Sequence, residues 1–76
     1  MSLTESQRSF LARAAELHRH DMGIMPRGFL QNRMVTVLEE RKLLVYAGWG
    51  THEETGVESP VWRITPAGLA LLEGKT

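Results

Sequence analysis

The chain has 76 residues, of which 42% are hydrophobic and 24% are charged, as in an ordinary soluble globular protein. This length allows one small domain, which buries only about 60% of the surface that the unfolded chain exposes, and we expect residues 1–76 to form it. Nine basic residues balance nine acidic ones and cysteine is absent. The composition therefore excludes disulfide scaffolds, thiolate metal centres and thiol catalysis, and net charge alone does not indicate nucleic acid.

Several other classes of protein also lack support. No apolar run approaches the roughly 18 residues of a membrane span, and the first residues lack the pattern of a secretory signal, so we expect a cytoplasmic protein without membrane contact. His18 and His20 are two positions apart and point in different directions on a helix, which disfavours a shared metal. Nothing requires catalysis or a cofactor, and we expect neither an enzyme nor a metal site.

The first predicted element is a helix over about residues 3–21. A capping box can begin at Ser2 or pair Thr4 with Gln7, so that side chains satisfy the free backbone groups of the first turn. Gly23 is the expected terminator, because glycine readily adopts the left-handed conformation that closes a helix. Apolar residues at helical spacing form its buried stripe: Phe10, Leu11, Ala14 and Leu17.

A second helix is predicted over about residues 29–42, after a short extended segment at residues 24–26. Its apolar stripe consists of Leu30, Met34, Val37 and Leu38, which follow the spacing i, i+4, i+7, i+8. The opposite face carries Asn32, Val35, Thr36 and Glu39. Only about eight residues separate the two helices, so any helix between them must be abbreviated or fused with the second one.

The remaining chain changes period and predicts a hairpin followed by a helix. Residues 43–49 and 61–64 are rich in strand-forming residues, and the polar loop between them, residues 50–59, holds three glutamates and no basic residue. Trp49 and Trp62 are expected to pack the hairpin onto the helices. A threonine cap and a proline at Thr65-Pro66 begin the last helix, whose expected buried face is Ala67, Leu69, Ala70, Leu71 and Leu72.

Two stretches resemble a known family. Residues 37–44, VLEERKLL, resemble the sequence with which winged-helix proteins leave their recognition helix, and residues 62–72, WRITPAGLALL, resemble the end of the wing and the start of the last helix in MarR-like and PadR-like regulators. The resemblance covers about residues 28–73 and implies an α+β winged-helix fold. This chain has Lys42 where the family usually has glycine, and it lacks the long terminal helices with which MarR-like proteins dimerise.

The resemblance also implies contact with double-stranded DNA, because a winged-helix recognition helix enters the major groove. Glutamine and asparagine can pair with an adenine edge, and arginine can contact guanine or phosphate. Arg27 lies at the helix N-terminus, where the dipole favours anions. The candidate DNA-binding residues are Arg27, Gln31, Asn32, Arg33, Val35 and Thr36. They can equally be the solvated face of an amphipathic helix.

The charges divide unevenly along the chain. Residues 8–33 hold five arginines against two acidic residues, an excess of three, whereas residues 39–76 hold six acidic residues against four basic ones. Acidic groups in the wing would repel phosphate, so the wing either stays away from DNA or binds a protein. We therefore expect a transcriptional or phage- or plasmid-type regulator, for which tight DNA binding would need a dimer or a multidomain assembly. The alternative is a protein-interaction module or a non-catalytic accessory domain of a nucleic-acid-processing assembly.

Overall fold

The fold is known from a computed structural model that describes residues 3–74. Two helices are followed by an antiparallel hairpin and a final helix, and these elements are α1 (Glu5–Arg19), α2 (Gly28–Glu40), β1 (Leu44–Thr51), β2 (Glu58–Ile64) and α3 (Pro66–Leu72). The predicted α+β class and the order of the elements are confirmed. The arrangement is that of a small winged-helix-like domain.

The start of α1 follows the predicted capping box. The Gln7 backbone N–H donates to Thr4 Oγ1 at 3.1 Å, and the Thr4 backbone N–H donates to Gln7 Oε1 at 3.1 Å. Two backbone donors that have no partner within the helix are thus satisfied by one pair of side chains. The alternative box at Ser2 lies outside the described residues.

The end of α1 differs from the prediction. Asp21, with φ of 58°, adopts the left-handed conformation, and the Met22 backbone N–H donates to the Leu17 carbonyl oxygen at 2.9 Å, as in a Schellman motif. Gly23 is therefore not the terminator. A glycine is needed at position 23 because of close packing: a Cβ there would lie 2.7 Å from the Trp62 carbonyl oxygen.

A second Schellman motif ends α2, again without glycine. Lys42 has φ of 63°, its backbone N–H donates to the Glu39 carbonyl oxygen, and the Leu43 N–H donates to the Leu38 carbonyl oxygen, each at 2.9 Å. Lys42 therefore makes this turn without a glycine. Because the left-handed region costs an ordinary residue about 1–2 kcal/mol, this turn is strained.

The buried face of α2 is rotated from the predicted one. Val35 and Leu38 are buried at 2% and 0% exposure, and Met34 is half-buried, but Leu30 is 73% exposed and the neighbouring Phe29 is 76% exposed. The prediction was thus wrong at two positions: it placed Val35 on the outer face and Leu30 in the core. Only the later turns of α2 pack closely on the rest of the molecule.

The segment between α1 and α2 contains no helix, so a separate abbreviated helix does not form there. Instead, Ile24 pairs with Trp62 through two backbone hydrogen bonds of 2.7 and 2.9 Å. The expected short extended segment is present as this bridge. It lies beside β2, so that β2 has Ile24 on one side and β1 on the other.

The hairpin strands are longer than predicted, and the loop is correspondingly shorter. Tyr46 pairs with Trp62 and Trp49 pairs with Pro60, with an irregularity between Tyr46 and Gly48. Residues that pair directly across the two strands lie on the same face of the sheet, and so do alternate residues along β2, such as Pro60 and Trp62. The extra residue, Ala47, therefore brings Trp49 to the same face as Tyr46, although an unbroken strand would place them on opposite faces.

One core joins the elements. Its buried members are Phe10, Leu11, Ala14, Ile24, Val35, Leu38, Leu43, Leu44 and Ile64. The predicted cap of α3 is confirmed, since the Gly68 backbone N–H donates to Thr65 Oγ1 at 3.1 Å. Of the predicted face of α3, Ala67 is exposed and the leucines are half-buried, while Gly68 is buried against Ile64.

Candidate nucleic-acid interface

The first half of α2 carries the predicted site and is largely unpacked. Arg27, Asn32, Arg33 and Thr36 are exposed, and Gln31 is half-buried. Within residues 3–74 the guanidinium groups of Arg27 and Arg33 make no hydrogen bond or ion pair. Two positive charges are therefore available to an anionic partner at this end of the helix.

The polar side chains of this face already have partners within α2. Gln31 Oε1 accepts from the Arg27 backbone N–H at 2.8 Å, and Asn32 Nδ2 donates to the Gly28 carbonyl oxygen at 2.7 Å. Thr36 Oγ1 donates to the Asn32 carbonyl oxygen at 3.1 Å. Contact of Asn32 with an adenine edge would require its amide to leave the helix backbone. The glutamine keeps its amide nitrogen available, and the threonine keeps its acceptor lone pairs.

Val35 is not part of this surface. The sequence placed it among the candidate DNA contacts, but it is 2% exposed and belongs to the core. The prediction was wrong here because it counted Leu30 as part of the buried stripe, which placed Val35 on the opposite face. In the structure the core-facing side is centred between Val35 and Leu38 instead.

Two of the N-terminal arginines come together beside α2. Arg13 and Arg27 line an open groove of about 480 Å³ with Gln31 and His52, and none of its lining residues is acidic. Arg8 and Arg19 are eleven positions apart on α1 and so share a different face from Arg13. The five arginines of the basic half therefore do not converge on one surface.

The wing is acidic at its tip and also near α2. Glu53, Glu54 and Glu58 are exposed, and the loop is closed by the His52 backbone N–H, which donates to the Val57 carbonyl oxygen at 2.9 Å. Glu58 lines a second groove whose other wall includes Arg27, Gly28 and Asn32. Glu58, the first residue of β2, thus borders the predicted interface. Its carboxylate opposes close approach of phosphate on that side.

The two tryptophans have different environments. Trp62 is half-buried against the core; its Nε1 donates to Glu39 Oε2 at 3.1 Å, and its ring meets Tyr46 edge-on at 5.7 Å between centroids. The prediction that it packs the hairpin onto the helices is confirmed. Trp49 is 66% exposed, so the same prediction was wrong for Trp49.

A polar cluster joins α1 to β2 away from the predicted site. Arg63 Nη1 donates to Asp21 Oδ1 and Arg63 Nη2 donates to His18 Nδ1, both at 2.9 Å. Since guanidinium has no acceptor, Nδ1 accepts in this hydrogen bond. No local pattern indicates this contact, because its partners are more than 40 positions apart. Among the described residues no three histidine or acidic side chains could hold one metal ion.

Comparison with known families gives no matching family model, and comparisons with curated proteins and with solved structures give no significant match. Across the described part of the chain, no helix combines the length and apolar character needed to cross a membrane. The side chains around α2 and the wing are therefore the basis for any assignment of function.

Proposed function

We propose that this chain is a small winged-helix DNA-binding protein that resembles the MarR-like and PadR-like regulators and acts as a transcriptional or phage- or plasmid-type regulator in the cytoplasm. The observation that carries the proposal is the unpacked outer face of α2. It presents the guanidinium groups of Arg27 and Arg33, which have no partner among residues 3–74, next to Asn32 and Thr36. A helix face of this kind fits the major groove of a duplex.

Phosphate contacts supply most of the expected affinity. Arg27, Arg33 and Arg13 are exposed cations on or beside α2, whereas the amide of Asn32 must break a 2.7 Å hydrogen bond before it can read a base. We therefore expect weak, salt-sensitive binding with modest sequence preference from a lone domain. The glutamates of the wing keep that loop away from the phosphates.

The test is a fluorescence anisotropy titration of labelled mixed-sequence duplex DNA at several salt concentrations between about 50 and 200 mM. The Arg33→Ala variant should bind more weakly at every salt concentration, and its log–log salt slope should fall by about one. Arg19→Ala is the matched control, because Arg19 is also exposed but lies 3.7 Å from Glu16 on α1. Absence of binding at the lowest salt, or an equal loss in both variants, would overturn the proposal.

A second candidate is a protein-interaction module, including a non-catalytic accessory domain of a nucleic-acid-processing assembly. It is favoured by the exposure of Phe29 and Leu30, 76% and 73%, on the first turn of α2, because large apolar side chains exposed together often mark protein contacts. Crosslinking of a partner in cells that is lost in the Phe29→Ser/Leu30→Ser variant, together with no DNA binding at low salt, would select this candidate.

A further inference from the structure

The hairpin has one unpaired edge. β1 pairs with β2 on one side, and within residues 3–74 no strand lies on its other side, whereas β2 is flanked by both β1 and Ile24. With eight residues, Leu44–Thr51, the free edge is about 27 Å long. The outward N–H and C=O groups of such an edge are a template for another strand.

This edge lacks most of the features that normally prevent pairing. Residues 44–51 include no charged residue and no proline, although charges and prolines are the usual protection of edge strands. Three large side chains on it are substantially exposed: Val45 at 52%, Tyr46 at 48% and Trp49 at 66%. The only protective feature is the bulge at Ala47, which divides the edge into two stretches.

We propose that β1 pairs antiparallel with β1 of a second copy of this chain, which joins the two hairpins into one continuous sheet. In such a pair the first stretch of one strand lies against the second stretch of the other, and the two bulges meet at the two-fold axis. The edge is then saturated by a partner of the same length and the same lack of charge.

Charge complementarity supports a second copy as the occupant. If Tyr46 faces Trp49 of the second copy, this register, continued past the ends of β1, brings Lys42 towards Glu53 of that copy. Lys42 lies two residues before β1 and Glu53 two residues after it, and both are exposed. Antiparallel pairing about a two-fold axis therefore creates this opposite-charge contact twice, and no like charges meet along the strand.

The bulge contributes to the same interface. Because it brings Trp49 to the face of Tyr46, a two-fold axis perpendicular to the sheet gathers both residues from both copies on one face. Cross-strand aromatic pairs are among the favourable pairs in antiparallel sheets. Tyr46 and Trp49, which are exposed in a single copy, then lie at the centre of the joined sheet.

Sedimentation equilibrium of the purified chain over a range of concentrations tests the proposal. We expect reversible association to a dimer, and Val45→Lys, which puts a charge in the pairing strand, should raise the dissociation constant at least tenfold. Val57→Lys is the matched control: Val57 is apolar and 58% exposed, but it lies outside β1. Far-ultraviolet circular dichroism verifies that both variants remain folded.

Charge reversal tests the register. Lys42→Glu and Glu53→Lys should each weaken the dimer, and the two changes together should restore it. A chain that stays monomeric at the highest concentration, an equal effect of Val45→Lys and Val57→Lys, or a double reversal that does not restore association would each overturn the proposal. Loss or retention of DNA binding is measured separately and does not bear on this outcome.

Discussion

Asp21 and Lys42 perform the same task at the ends of α1 and α2, but their surroundings differ. Both hold a left-handed backbone conformation that normally favours glycine, with φ of 58° and 63°. Asp21 also accepts a hydrogen bond from Arg63 at 2.9 Å, so its side chain contributes to the tertiary structure. The backbone of Lys42 accepts from Thr65 Oγ1 at 2.7 Å, a contact that does not depend on the lysine side chain.

Lys42→Gly should therefore stabilise the protein. Removal of the Cβ relieves the left-handed strain and keeps every backbone hydrogen bond of the turn, and part of the gain is offset by the greater freedom of glycine in the unfolded chain. We expect a gain of about 1 kcal/mol in the free energy of unfolding, which raises Tm by roughly 4–8 °C in a domain of this size. Thermal unfolding followed by circular dichroism measures it.

The matched control is Lys42→Ala, which removes the charge and the long side chain but keeps the Cβ. It should leave Tm close to that of the parent chain. A similar rise in Tm for alanine and glycine would show that the charge of Lys42, and not its backbone conformation, limits stability.

At the scale of the elements, the junction between β2 and α3 connects three parts of the fold. Thr65 caps α3 by accepting from the Gly68 N–H at 3.1 Å, and the same hydroxyl donates to the Lys42 carbonyl oxygen after α2. Its backbone N–H donates to the Leu43 carbonyl oxygen at 3.0 Å. One half-buried residue thus holds the end of α2, the end of β2 and the start of α3 together.

Thr65→Val should lower the free energy of unfolding by about 1–2 kcal/mol, because a side chain of the same shape loses both hydroxyl contacts and leaves the helix uncapped. Urea denaturation measures the change. Thr65→Ser keeps the hydroxyl and should recover most of the stability. Unchanged stability of Thr65→Val together with a loss in Thr65→Ser would indicate that the methyl packing of Thr65, and not its hydrogen bonds, is what matters.

The elements show which features the sequence could predict. The Thr4 and Thr65 caps, the antiparallel hairpin and the order of the helices were predictable because their signals are local: a capping residue, a proline or a change of period. The buried face of α2 was not, because Leu30 completes an apolar stripe but lies on a turn that does not dock. The exposure of Trp49 was also not predictable, since Trp49 shares a face with the half-buried Trp62, and local sequence does not tell which part of a strand the helices cover.

The position of the candidate site on α2 was predictable from the sequence, but the contacts that its side chains already make were not. The sequence placed Arg27, Arg33, Asn32 and Thr36 on the outer face of α2, and they are exposed there. It could not show that Asn32 is engaged by the backbone of its own helix. Nor could it show that Glu58, 31 positions after Arg27, lines the same groove, because both facts depend on three-dimensional packing.

For the whole molecule, the shared core makes unfolding cooperative. The buried cluster draws residues from α1, α2, β1 and β2, and half-buried leucines of α3 pack against it. No element has a core of its own. Small domains of this kind usually unfold in one step, and we expect the helices and the hairpin to be lost together.

The Trp49→Phe variant allows a direct measurement. Its remaining tryptophan, Trp62, lies between the core, Tyr46 and Glu39, so its fluorescence reports on the packed hairpin, while circular dichroism at 222 nm reports mainly on the helices. The two urea transitions should have the same midpoint. A fluorescence transition clearly earlier than the loss of helix would contradict a single cooperative unit.

The contacts between α1 and β2 have a consequence for the order in which this protein becomes folded during synthesis. Ile24 is paired with Trp62, and Asp21 and His18 are held by Arg63, so the residues that hold the end of α1 are synthesised well after it. A nascent chain that ends before β2 has α1 and α2 but no surface that fixes the end of α1. We therefore expect docking of the first helix to wait until β2 has left the ribosome.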